Sequence, residues 1–125
     1  MPSIEAAGIR KILDSRGNAT VEVELRSGPL DARYASPSGA STGTHEAQAF
    51  PKGGVDAAVE AFRKEVAPRV KGRDIEDQKG LDRLLREIDG TPNFARIGGN
   101  VAVAVSLANA KLAAAAAGQP LFHYL

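Results

Sequence analysis

Apolar positions alternate early in the chain and recur at helical spacing later. Val21, Val23 and Leu25 alternate with Thr20, Glu22, Glu24 and Arg26, a period of two that puts apolar side chains on one face of a strand and charges on the other. Ser27-Gly28-Pro29 is a turn signal, and Leu30, Ala32 and Tyr34 then alternate with Asp31, Arg33 and Ala35. This pattern predicts a β-hairpin. Ile4–Leu13, rich in Ile and Ala, predicts a third antiparallel strand, with Gly8 marking a bulge.

From Ser36 to Gly54 the periodicity stops. Pro37, Gly39, Gly43, Pro51, Gly53 and Gly54 interrupt the chain, and small hydroxyl residues fill the gaps. A connection of about 19 residues is longer than usual, and such loops are commonly functional or disordered. Beyond it, Val55, Ala58, Val59, Phe62 and Val66 fall on one helix face. Pro68 is expected to disturb the end of this helix, and Gly72 to close the segment. Asp74 is the expected N-cap of a second helix, striped by Leu81, Leu84, Leu85 and Ile88 and stopped by Gly90. Asn100 is the expected cap of a last long helix, ended by Gly118 and Pro120. The fold class is therefore α+β: a three-stranded antiparallel sheet followed by a helical layer, one domain over residues 1–125.

Length and charge narrow the function classes. The 125 residues are about half of the roughly 250 that a complete (β/α)8 barrel needs. Lys and Arg total 16 against 15 Asp and Glu, for a net charge of +1, which offers no general electrostatic ground for binding nucleic acid or an anionic membrane. The longest apolar stretch, Val101–Ala117, is broken by Ser106, Asn109 and Lys111 and falls short of the ~20 apolar residues that span a bilayer. It is expected to be a buried, alanine-rich helix. The absence of cysteine excludes disulfides and thiolate metal sites. Met1-Pro2-Ser3-Ile4-Glu5 lacks a signal-peptide pattern, and the expected location is cytoplasmic.

Two segments hold candidate chemistry: Leu13-Asp14-Ser15-Arg16-Gly17-Asn18-Ala19-Thr20-Val21-Glu22 and Pro37-Ser38-Gly39-Ala40-Ser41-Thr42-Gly43-Thr44-His45-Glu46-Ala47. In the second, hydroxyl oxygens and glycine-freed backbone suit phosphate together with a hard cation. The Gly-x-x-x-x-Gly-Lys-Ser/Thr pattern of a P-loop is absent, and His45-Glu46 lacks the second His of a zincin helix. On composition alone, a plain flexible connection is the simpler reading.

Taken together and in order, Asp14-Ser15-Arg16-Gly17-Asn18 with Thr20-Val21-Glu22-Val23, and Pro37–Gly43 with His45-Glu46-Ala47, resemble the amino-terminal region of the enolase (phosphopyruvate hydratase) family. Leu84–Gly90 with Thr91, Asn100 with Val105-Ser106-Leu107-Ala108 and Ala110-Lys111, and Gln119-Pro120-Leu121-Phe122 with Tyr124-Leu125 continue the resemblance. The chain departs from it at Ala19, where the family usually has Pro. It also departs in the short stretch Ala47–Gly54, and in Gly98-Gly99-Asn100-Val101 for the usual Gly-Ala-Asn-Ala.

The resemblance implies the enolase N-terminal-domain fold and a hydro-lyase reaction of glycolysis and gluconeogenesis. That reaction interconverts 2-phosphoglycerate and phosphoenolpyruvate, with Mg²⁺ as cofactor. It implies a C-terminal barrel, absent from this chain, that carries the catalytic Lys, the acid/base Glu and the carboxylates of the tighter metal. The 125 residues by themselves are then expected to be inactive. Ser38, Gly39, Ala40, Ser41, Thr42 and His45 become lid and substrate-side residues, with Ser41 a ligand of a second Mg²⁺ and Arg16 near the active-site rim. Ser41 as a turn residue, Arg16 in a structural salt bridge and His45 as a general acid/base remain open alternatives. Glu22 resembles a position in the family's subunit contact, with a plain exposed strand-face carboxylate as the open alternative, and the resemblance implies a homo-oligomer, a dimer in the complete enzyme. Two other readings stand beside this one: an inactive stand-alone binding or oligomerisation domain of the same fold, and a phosphate-binding module with another activity.

Overall fold

The computed structural model describes residues 2–37 and 49–119. Three strands, β1 (Ala6–Leu13), β2 (Ala19–Ser27) and β3 (Leu30–Ala35), form an antiparallel sheet in the order β1-β2-β3. Four helices follow: α1 (Gly54–Ala61), α2 (Ala67–Val70), α3 (Gln78–Asp89) and α4 (Gly99–Ala116). The α+β architecture is the one the sequence pattern predicts.

Register follows the alternation. Val23 lies opposite Ile9 on one side and Tyr34 on the other, and Leu25 lies opposite Ala7 and Ala32. Ile9, Val21, Val23, Leu25 and Ala32 are buried on this face, and α4 packs across it against β2 and β3. The opposite face carries cross-strand ion pairs, Arg10–Glu22 at 2.8 Å and Arg33–Glu24 at 3.3 Å. By length and composition α4 is apolar enough to cross a bilayer, but most of it is buried. Small residues such as Ala104 and Ala108 face the interior and permit close approach, so α4 is the core helix of the domain. α3 is amphipathic: Leu81, Leu84, Leu85 and Ile88 are buried, and it packs beside α4.

Several local expectations are corrected. Gly8 carries no bulge, because residues 6–13 of β1 pair one to one with β2 and Gly8 faces Glu24. Ile4 leaves the sheet: its N–H donates to Arg73 O at 2.8 Å and its carbonyl accepts from Gly72 N at 2.7 Å. α1 runs into a π-helical turn, Phe62–Val66, closed by Ala67 N–H donating to Phe62 O. Pro68 explains it, since proline has no N–H for Lys64 O and its ring would abut that carbonyl. The chain widens just ahead of it. The N-cap of α3 is Asp77, whose carboxylate accepts from Gly80 N at 3.0 Å. Asp74 instead accepts from Glu76 N at 2.9 Å in the preceding turn. A capping side chain must sit two or three residues before a free helical N–H, and Asp77 holds that place.

Candidate functional site

Antiparallel pairing brings the end of β1, the start of β2 and the end of β3 to one end of the sheet. The β1–β2 connection there is built by Asp14. Its carboxylate accepts from Arg16 N at 2.9 Å and Asn18 N at 2.8 Å, an aspartate-closed turn that needs no tertiary help. Gly17 takes φ +81°, in the region where a side chain is strained. Arg16 is thereby displayed at the tip, exposed, with its guanidinium in no ion pair among the described residues.

At the same end the chain leaves β3 through Ser36 and Pro37 and returns at Ala49. Ser36 is buried. Thr20 Oγ1 donates to Ser36 O at 2.7 Å, and Ser36 Oγ donates to Asn100 O at 2.5 Å. Asn100 Nδ2 donates to Pro37 O at 2.7 Å, and Asn100 N donates to Ala49 O at 3.0 Å. Asn100 is therefore not the cap of α4. The N-cap is Gly98, with no side-chain cap hydrogen bond, and the Asn100 amide reaches sideways to a distant segment. Gly98 has φ +92° and ψ 137°. A Cβ on it would stand 2.8 Å from Ala49 O and 3.1 Å from Phe50 Cα, so only glycine lets the two backbones meet this closely.

The start of α4 is held from behind by Asp89, which is 1% exposed. Its carboxylate accepts from Thr91 N at 3.0 Å, Arg96 N at 2.9 Å, Ile97 N at 2.7 Å and the Thr91 hydroxyl. One side chain thus gathers both ends of the α3–α4 connection. Phe94, at φ +57°, accepts from Gly98 N at 2.8 Å and completes the link to Gly98.

Of the residues singled out in the sequence, Arg16 is brought to the same end of the sheet as Pro37 and Ala49. Ser38, Gly39, Ala40, Ser41, Thr42 and His45 lie outside the described residues. Among the described residues, no group of three or more His, Asp or Glu side chains gathers as a metal cage. The donor chemistry of residues 38–44 fits a hard cation in part only. Hydroxyls and carbonyls supply oxygens, but Mg²⁺ also favours one or two carboxylates in its octahedral shell, and that segment holds none. Sequence reasoning missed Thr20, Ser36, Gly98 and Asp89, and gave Asn100 another role. The Gly98-Gly99 pair was the available signal for a close backbone approach. Thr20, Ser36 and Asn100 are ordinary polar residues whose partners lie 16, 64 and 63 residues away in the chain, whereas Asp89 gathers N–H groups within eight residues of itself, a loop closure that no periodic pattern announces.

The sequence model of the family described as enolase, N-terminal domain, matches residues 4–125. The chain belongs to the enolase family. It is 51% identical over 134 aligned residues to the protein named Enolase of Kineococcus radiotolerans, covering 100% of this chain and 31% of that protein. It is 48% identical over 122 residues to Enolase of Methanosphaera stadtmanae, covering 98% of this chain and 30% of that protein. Enolase of Methanothermobacter thermautotrophicus is likewise 48% identical over 122 residues, 98% of this chain and 29% of its own length. The chain thus spans about 30% of the length of these curated relatives. A three-stranded antiparallel sheet followed by helices is consistent with an enolase N-terminal domain. In this enolase domain, the aspartate turn bearing Arg16 lies at the same end of the sheet as Pro37 and Ala49, which flank residues 38–48.

Proposed function

We propose that this domain is the capping part of a complete enolase that dehydrates 2-phosphoglycerate to phosphoenolpyruvate, with its catalytic barrel in the remainder of the enzyme. The observation that carries the reading is a family match running over residues 4–125 at 48–51% identity. The common end of the sheet supports it, because Pro37 and Ala49, which flank residues 38–48, lie at the same end as Arg16. Bound Mg²⁺ supplies Lewis-acid stabilisation of charge developing on the substrate carboxylate. Within this chain, Ser41 offers hydroxyl and carbonyl oxygen to that ion. Ser38, Gly39, Ala40 and Thr42 flank Ser41 as backbone that excludes water from the closed site. His45 is a polar residue of the same segment, and Arg16 brings positive charge to the phosphate-bearing side. The outer sheet face supports a contact between copies in the complete enzyme. Its Arg10–Glu22 pair spans two strands, and Gly8 leaves an open concavity of about 210 Å³ beside Glu24 and Arg33.

The test is reconstitution. The 125-residue chain alone is expected to form no phosphoenolpyruvate from 2-phosphoglycerate and Mg²⁺, and mixing it with the remaining domain of a relative is expected to restore turnover. In the restored enzyme, Ser41→Ala raises the half-saturating Mg²⁺ concentration by at least about tenfold, as losing support at a metal commonly does. Turnover by the pure chain, proportional to its concentration, or an unaltered Mg²⁺ dependence in the variant, refutes the assignment.

A further inference from the structure

Both ends of the connection that carries Ser41 meet the same residue. Asn100 holds the outgoing end by donating from Nδ2 to Pro37 O at 2.7 Å and by accepting from Ser36 Oγ at 2.5 Å. It holds the returning end by donating from its backbone N–H to Ala49 O at 3.0 Å. A residue in the first turn of a helix has a backbone N–H with no partner inside the helix, so the bond to Ala49 is open to any residue at this position. The bond to Pro37 is not. Proline has no N–H of its own, so its carbonyl is its one polar backbone handle. Aspartate and leucine match the size of Asn100 but cannot donate to it, and glutamine is a methylene too long.

Asn100 is itself fixed. It sits at the start of an 18-residue helix buried in the core, with Asp89 gathering the connection behind it and Thr20 holding Ser36 from the sheet. The places of Pro37 and Ala49 are therefore set from α4 and β2. We infer that Asn100 is a positioning residue, tying Pro37 and Ala49, the residues that flank 38–48, to the start of α4 and so supporting the Mg²⁺ affinity that Ser41 contributes. This rests on the reading of Ser41 as a Mg²⁺ ligand. Without the amide, the outgoing end is held through Ser36 alone. Apparent Mg²⁺ affinity then falls with the fraction of the enzyme that is binding-competent.

The test has two arms. In the 125-residue chain, native-state cleavage after Glu46 by a glutamate-specific protease is followed by mass spectrometry. Asn100→Ala and the isosteric Asn100→Asp are both expected to speed it about five-fold, the worth of one ordinary hydrogen bond. Ser36→Ala, which removes the neighbouring tie, acts in the same direction. A residue serving only the helix predicts the reverse, because alanine is the better helix former: a raised thermal midpoint and unchanged cleavage. Equal cleavage in the parent and all three variants overturns the inference. In the reconstituted enzyme, Asn100→Asp raises the half-saturating Mg²⁺ concentration several-fold. A shift for Ser41→Ala with none for Asn100→Asp also overturns it. No shift for Ser41→Ala sinks the Mg²⁺ reading instead, and the cleavage arm then decides the anchoring by itself.

Discussion

Gly98→Ala attacks the junction at its tightest point. The new methyl would stand 2.8 Å from Ala49 O and 3.1 Å from Pro51 Cδ, and the backbone at φ +92° and ψ 137° lies where side chains are strained by about 2 kcal/mol. Relief requires Ala49 and the start of α4 to part, which forfeits the Asn100 N–H bond to Ala49 O, a further loss of about 1 kcal/mol. The sum is about 3 kcal/mol, or a fall of about 12 °C in thermal midpoint for a domain of this size. Gly72 is the internal control. It has φ +90°, and a Cβ there would meet nothing within 4 Å, so Gly72→Ala registers backbone strain without collision. Urea unfolding followed by circular dichroism, with calorimetry for the midpoints, measures both variants. If Gly98→Ala costs no more than Gly72→Ala, the two backbones are not pressed together and the geometry argued for this junction is wrong.

Two further outcomes test the supports of the fold. Asp89→Ala strips the acceptors from three backbone N–H groups and the Thr91 hydroxyl, and is expected to cost about 3 kcal/mol; a loss below about 1 kcal/mol by urea unfolding contradicts the strut. On the surface, the Lys64 ammonium hydrogen-bonds the Glu60 carboxylate at 2.6 Å and holds its pKa below the ordinary 4.5, while the Lys64 pKa is raised by the same partner. The pair's stability is therefore present above the unfolded pKa of Glu60 and is lost as pH falls through its lowered folded value. At the alkaline side it is present below the unfolded pKa of Lys64 and lost as pH rises through the raised one. Both groups are solvent-exposed and screened by salt, so the readout is the NMR titration of the Glu60 carboxyl. Its midpoint rises in Lys64→Met, and an unmoved midpoint refutes the pairing.

The strands show why some features are legible in the chain's own pattern. The hydropathy period of Thr20–Arg26 places Val21, Val23 and Leu25 on the buried face, and the observed burial follows it. The α3 stripe is likewise a local regularity, with the same four residues buried. Gly8 misled because glycine in a strand has two meanings, a bulge or an open outer face, and only the register with Glu24 separates them. The turn bearing Arg16 is local as well, built by Asp14 and Gly17 within five residues. The caps are not legible, because Asp74, Asp77 and Asn100 have side chains of similar capping ability and the choice depends on where the first free N–H points.

Sequence alone determined the sheet, its faces, the helical stripes and the family motifs, since each arises from contacts between near neighbours or from a fixed spacing. Tertiary structure decided what Asn100 and Ser36 do. The Asn100 amide finds its acceptor 63 residues away at Pro37, and the Ser36 hydroxyl finds its own 64 residues on. A polar side chain carries the same donors wherever it sits, so its partner is chosen by the path of the folded chain.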